Sequence, residues 1–119
     1  LHLFRNELRY LPPTLGAMND LRELRLHDNR LEALPESVGE LTRLGVLDLR
    51  NNRLASLPGS IGRLRGLRQL DLRANRLVSL PESLGDLTGL EKLDLRWNKL
   101  SALPAAVARL RERGCVVLH

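Results

Sequence analysis

The chain has 119 residues, a net charge of +5 and 3% aromatic residues, one domain's worth of sequence in which leucine must supply most of the core. No apolar run reaches the roughly 18 residues of a membrane-spanning helix, and no charged segment leads into an apolar one as in a signal peptide. Cys115 is the single cysteine, which excludes an internal disulfide and favours a reducing, cytoplasmic compartment.

Taken from its first residue, the chain matches itself at an offset of 23 residues. One unit is L-x-x-L-x-L-x-x-N-x-L-x-x-L-P-x-x-φ-x-x-L-x-x, with φ an apolar residue. A partial unit over 1–20 has Leu1 at the fourth place, Asn6 at the ninth and Pro12 at the fifteenth. Full units follow over 21–43, 44–66, 67–89 and 90–112, and a terminal strand over 113–119 ends a single domain. That last segment puts Cys115, Val116 and Leu118 at the third, fourth and sixth places, with Arg113 in place of the first leucine. Leu1 enters in mid-strand without a cap, so more chain is expected before it, whereas "GCVVLH" reads as a terminus.

Each unit predicts the same local elements. Side chains alternate along a strand, so the leucines at places four and six face a core while places five and seven face solvent. The asparagine at place nine falls where the strand bends away, and its amide is suited to backbone groups that the bend leaves unpaired. Asn6, Asn29, Asn52, Asn75 and Asn98 therefore predict an interior structural ladder. The prolines of the Leu-Pro pairs predict a short helical or 3₁₀ turn on the return limb, each beginning in its first turn. Gly16, Gly39, Gly62 and Gly85 share one place, taken by Ala108 in the last full unit, which predicts close packing between neighbouring coils.

These motifs resemble those of leucine-rich repeat proteins over essentially the whole chain. The Leu-Pro pairs, each followed by x-x-φ-x-x-L, are similar to the Ras-group intracellular repeats and to bacterial cytoplasmic repeat proteins. The resemblance implies an α/β solenoid, a right-handed horseshoe with a concave parallel sheet of about six strands and short helical turns on the convex side. One unit cannot bury its own apolar face, so stability must come from stacking of neighbours.

Residues at one place then form columns across the sheet. Place five reads His2, Arg25, Asp48, Asp71, Asp94 and Val117, and place seven reads Phe4, His27, Arg50, Arg73, Arg96 and His119. The aspartates stand beside arginines as exposed pairs, worth only about 0.2 to 1 kcal/mol each. Place ten adds Arg30, Arg53, Arg76 and Lys99. Over the complete units, places three, five, seven, eight and ten carry nine cations against five anions, so most of the net charge belongs to one face. Place eight ends with Trp97, the only tryptophan, beside Arg96 and Lys99. An exposed tryptophan next to arginine has the composition of a binding hot spot, and its bland reading is a ring resting on aliphatic stems.

No chemistry for catalysis is legible. His2, His27 and His119 do not converge on a metal, Cys115 has His119 within approach but no orienting acid, and each place-five aspartate has an arginine neighbour that keeps it ionised. No phosphate-binding loop is present, and no cofactor is expected. The expected function is non-catalytic binding of an acidic or mixed-charge protein through Arg25, His27, Asp48, Arg50, Asp71, Arg73, Asp94, Arg96, Trp97 and Lys99. The Ras-group resemblance implies small GTPases or signalling proteins as partners. Six strands present a face of about 500 Å², below the roughly 800 Å² of a standard interface, so flanking residues are expected to contribute. The alternatives are a structural or targeting segment of a larger signalling or effector protein, and nucleic-acid binding through the arginines. Interleaved aspartates and the lack of stacking aromatics disfavour the latter. No membrane contact is expected, and the open edge at Leu1 to Phe4 suggests a monomer or weak end-to-end association.

Overall fold

The computed structural model describes residues 1–119 and places each repeated unit as one coil of an open solenoid of 34 × 28 × 19 Å. Strands β1 (Glu23–Arg25), β2 (Val46–Asp48), β3 (Gln69–Asp71), β4 (Lys92–Asp94) and β5 (Val116–Leu118) form one parallel sheet in chain order. Leu24, Leu47, Leu70 and Leu93 stand in register across it. The first coil contributes a single parallel bridge between His2 and Arg25, so the six expected strands are five strands and one bridge. That coil has a neighbour on one side only.

The core is a stack of leucines. Leu24, Leu26, Leu31, Leu41, Leu44, Leu47, Leu49, Leu54, Leu64 and Leu67 are fully buried, each at a place where the repeat carries leucine. The strands are only three residues long because place seven must already leave the sheet. The residue at place eight then takes a left-handed backbone, with φ between 53° and 60° at Arg5, Asp28, Asn51, Ala74 and Trp97. This reversal swings the asparagine at place nine inward.

On the return limb the chain forms 3₁₀ turns at Pro13–Ala17, Glu36–Glu40, Gly59–Arg63 and Glu82–Asp86. Pro35, Pro58 and Pro81 sit at the N-caps in extended conformation, one residue before the first turn that was expected to hold them. A proline there has the right φ and loses nothing, because its carbonyl is what the turn uses. Val38, Ile61 and Leu84 N–H donate to those carbonyls at 3.0 to 3.1 Å.

The glycines let successive turns touch. A Cβ at Gly62 would meet the Ser83 carbonyl oxygen at 2.5 Å, and one at Gly39 would meet that of Ser60 at 2.7 Å.

The last coil differs. "PAAVARLRERG" has Ala108 where earlier units carry glycine and Arg113 where they carry leucine, and its alanines and arginines favour continued helix. Helix α1 (Ala105–Glu112) forms instead of a 3₁₀ turn. It ends at Gly114, φ +91°, with Cys115 N–H donating to the Leu110 carbonyl and Gly114 N–H to that of Arg111, the paired bonds of a glycine C-cap. The longer limb uses one extra residue, so β5 pairs Val116, Val117 and Leu118 with Lys92, Leu93 and Asp94. The expected register is off by one and every side chain changes face. Val117, not Val116 or Leu118, packs on the core, while Val116 is 55% exposed and Cys115 is buried. Burial pushes the Cys115 thiol above its ordinary pKa.

Candidate functional site: the concave face and its basic flank

Each inward asparagine bonds backbone groups of its own coil and of the coil before it. In the middle of the stack, Asn52 Nδ2 donates to the carbonyls of Leu26 and Leu49 at 3.0 Å, and its Oδ1 accepts the Leu31 N–H at 3.0 Å. Asn29, Asn75 and Asn98 make the same bonds one coil on, whereas Asn6 is exposed in the first coil and bonds only within it through its side chain.

The place-five aspartates do not stand out into solvent as expected. Asp48 and Asp94 are 4% and 2% exposed. An aspartate side chain is short enough to curl back on the chain, and at the end of a strand the N–H two residues on is free. Arg50, Arg73 and Arg96 each donate that N–H to Oδ1 of the aspartate in their own coil, at 3.2 Å. The arginine side chains then fold over the carboxylates. Arg73 donates Nε and Nη2 to Asp71 at 3.0 and 2.6 Å, and its Nε also lies 3.3 Å from Asp94. Arg96 donates Nε and Nη2 to Asp94 at 3.0 and 2.7 Å. Asp48 has Arg25, Arg50 and His27 around it at 3.8, 3.4 and 3.2 Å.

Burial alone would raise the Asp94 carboxyl, but hydrogen bonds from the Arg96 side chain and backbone, with the charges of Arg96 and Arg73, hold it below its ordinary value. These are partly buried, hydrogen-bonded pairs and not the weak surface pairs expected, because removing one member would strand a buried charge.

His27 is half-buried, stacked on Phe4 with ring centroids 4.6 Å apart. His2 lies 3.8 Å from Glu23, and the three histidines do not meet. His119, expected at place seven, comes opposite the core position Leu95 through the shift of β5.

Trp97 is 70% exposed, with the Arg96 guanidinium 5.6 Å from its ring centre. It lines an open notch of about 340 Å³ with Leu95, Leu100, Leu103 and His119. A non-glycine residue in the left-handed region costs about 1 kcal/mol or more. Asn51 at the same place is a residue type that tolerates it; Trp97 is not.

The flank at places eight to twelve has two halves. In the early coils it is ion-paired: Arg5 with Asp28 at 3.6 Å, Arg9 with Glu32 at 2.8 Å and Arg30 with Glu7 at 3.5 Å. Hydrogen bonds, from Asn51 to Asp28 and from Arg9 to Glu32, hold both carboxyls below their ordinary range. From the third coil on, Arg53, Arg76 and Lys99 are exposed with no carboxylate within 4 Å, beside the exposed Val78. The charge expected over the concave face is thus largely compensated on the strands and left free on this flank. Place ten was legible as a basic column; its loss of partners partway along was not.

The Leucine rich repeat family model matches residues 19–77 and 42–100. Among solved structures, a leucine-rich repeat protein of Leptospira interrogans is similar at 35% identity and a TM-score of 0.88, covering 98% of this chain and 30% of that one. The ectodomain of the receptor kinase SOBIR1 from Arabidopsis thaliana is similar at 31% identity and 0.81, covering 99% of this chain and 66% of that one. The plant peptide hormone receptor RGFR1, solved in complex with RGF2, is similar at 28% identity and 0.85, covering 98% of this chain and 19% of that one. No curated protein matches. The chain spans less than two thirds of each of these relatives, and no helix is long and apolar enough to cross a membrane. With the repeat visible in sequence, coil geometry and family match alike, this chain belongs to the leucine-rich repeat family.

Proposed function

We propose that the chain is a non-catalytic protein-binding module that grips a mixed-charge partner across its concave sheet. The observation that carries this is the set Arg25, Arg50, Arg73 and Arg96, each beside a carboxylate, with the Arg73 and Arg96 guanidiniums hydrogen-bonded to Asp71 and Asp94. Guanidinium groups already fixed by hydrogen bonds lose little freedom on binding, and each retains donors for a partner's carboxylates and carbonyls. The relatives support a binding role, since RGFR1 is a receptor solved with RGF2. A cytoplasmic setting and a small GTPase or signalling partner rest on the Leu-Pro repeat type. The coverage of only 30% of the Leptospira protein supports the alternative reading that the chain is a structural or targeting segment of a larger protein.

Charge reversal is a poor test here, because glutamate at place 73 would face Asp94. The neutral triple variant Arg73→Gln, Arg96→Gln, Asp94→Asn keeps hydrogen-bonding groups of similar shape. Its affinity for a partner isolated with the wild-type chain, measured by calorimetry, is expected to fall about tenfold or more. Unchanged affinity in a folded variant would move the binding surface elsewhere.

A further inference from the structure

We infer that the flank of the last three coils is a docking surface for an extended acidic segment with a bulky aliphatic side chain, the aliphatic group packing against the exposed Val78 and Trp97. The inference rests on the protein-binding reading and adds where, and with what chemistry, a partner's chain continues beyond the sheet.

Charge complementarity comes first. Arg53, Arg76 and Lys99 are exposed and form no ion pair within 4 Å, although the same place in an earlier coil, Arg30, is ion-paired. Arg76 N–H donates to the Leu54 carbonyl and Lys99 N–H to that of Leu77, so the three follow one another coil by coil. Two coil spacings are about 10 Å, the reach of three residues of extended chain. Carboxylates on a short extended segment therefore match the row, and like-charged neighbours on the flank are relieved by the match.

Apolar surface comes second. Val78 and Trp97 are 56% and 70% exposed on the same flank.

The test uses the whole chain and the emission of Trp97, the only tryptophan. The probe is a short synthetic peptide alternating glutamate and leucine. A saturable change in emission is expected, weakened about tenfold by raising salt from about 0.05 to 0.3 M. The same loss is expected in the Arg76→Glu, Lys99→Glu variant, whose substituted residues have no partners to lose, and in the milder Lys99→Gln variant to a smaller degree. A peptide with serine for leucine should bind several-fold more weakly. The concave variant Arg50→Gln, Arg73→Gln, which leaves Arg96 beside Trp97, should bind the probe as the wild type does. No saturable change, retention of binding in both flank variants, or equal binding of a lysine and leucine peptide would overturn the inference. So would displacement of the peptide by a single-stranded oligonucleotide at equal concentration, which would make the flank a general polyanion site. Loss of probe binding in the concave variant alone would assign the acidic segment to the sheet, whereas weak partner binding by that variant with normal probe binding separates the two surfaces.

Discussion

Asp94 accepts a backbone N–H and two guanidinium donors from Arg96, with Arg73 3.3 Å away. Its carboxyl is held below the ordinary range, so it contributes stability that is fully present above the unfolded pKa, about 4. That contribution is lost as pH falls through the lower folded value, because protonation is then easier in the unfolded chain. Asp94→Asn is expected to destabilise the chain by about 2 kcal/mol near pH 7. Urea unfolding should show the gap between wild type and variant shrinking as pH falls below about 4. A gap that stays constant down to about pH 2 would mean that the charge of Asp94 plays no part.

Elements are set by what a neighbouring coil leaves room for. The 3₁₀ turns on the convex side pack closely enough that a Cβ at Gly62 would meet the Ser83 carbonyl oxygen at 2.5 Å, while nothing lies within 4 Å of a Cβ at Gly59. Gly62→Ala is expected to cost about 1 to 3 kcal/mol by forcing coils apart. Gly59→Ala, three residues earlier, should be neutral or stabilise by up to about 1 kcal/mol by restricting the unfolded chain. Urea midpoints of the two variants that coincide would remove close packing as the reason for the glycine column. The last coil escapes the constraint, since Ala108 is exposed and the residues around it extend into α1.

Across the whole molecule, each coil touches only its neighbours, so stability is shared by position and not concentrated in one centre. Coils with partners on both sides bury all their leucines but Leu21, whereas Leu3 and Leu8 at one end and Leu100 and Leu103 at the other are half-buried. Hydrogen exchange is expected to be slowest for Leu49 and Leu72 N–H, which donate to Asp71 and Asp94 carbonyls. It should be about tenfold faster or more for Leu3 N–H at the open edge. Equal protection at both positions would indicate a single cooperative unit without fraying ends.

The sequence alone determined the coil. Five asparagines and the leucine spacing set which side chains point inward, because a period of two on the strand and an obligatory set of backbone partners leave one arrangement. Trp97 stood apart there too, as the residue with no counterpart in other units. Tertiary structure decided what depends on neighbours across coils. One extra residue in α1 moved β5 by a place, because helix length is set by packing and capping and not by the repeat. The aspartates sank beneath the arginines because a carboxylate beside a free N–H and two guanidiniums is better satisfied there than in water. The unpaired flank emerged only once each cation's carboxylate neighbours were fixed in space, since pairing is a matter of distance that a column of letters does not carry.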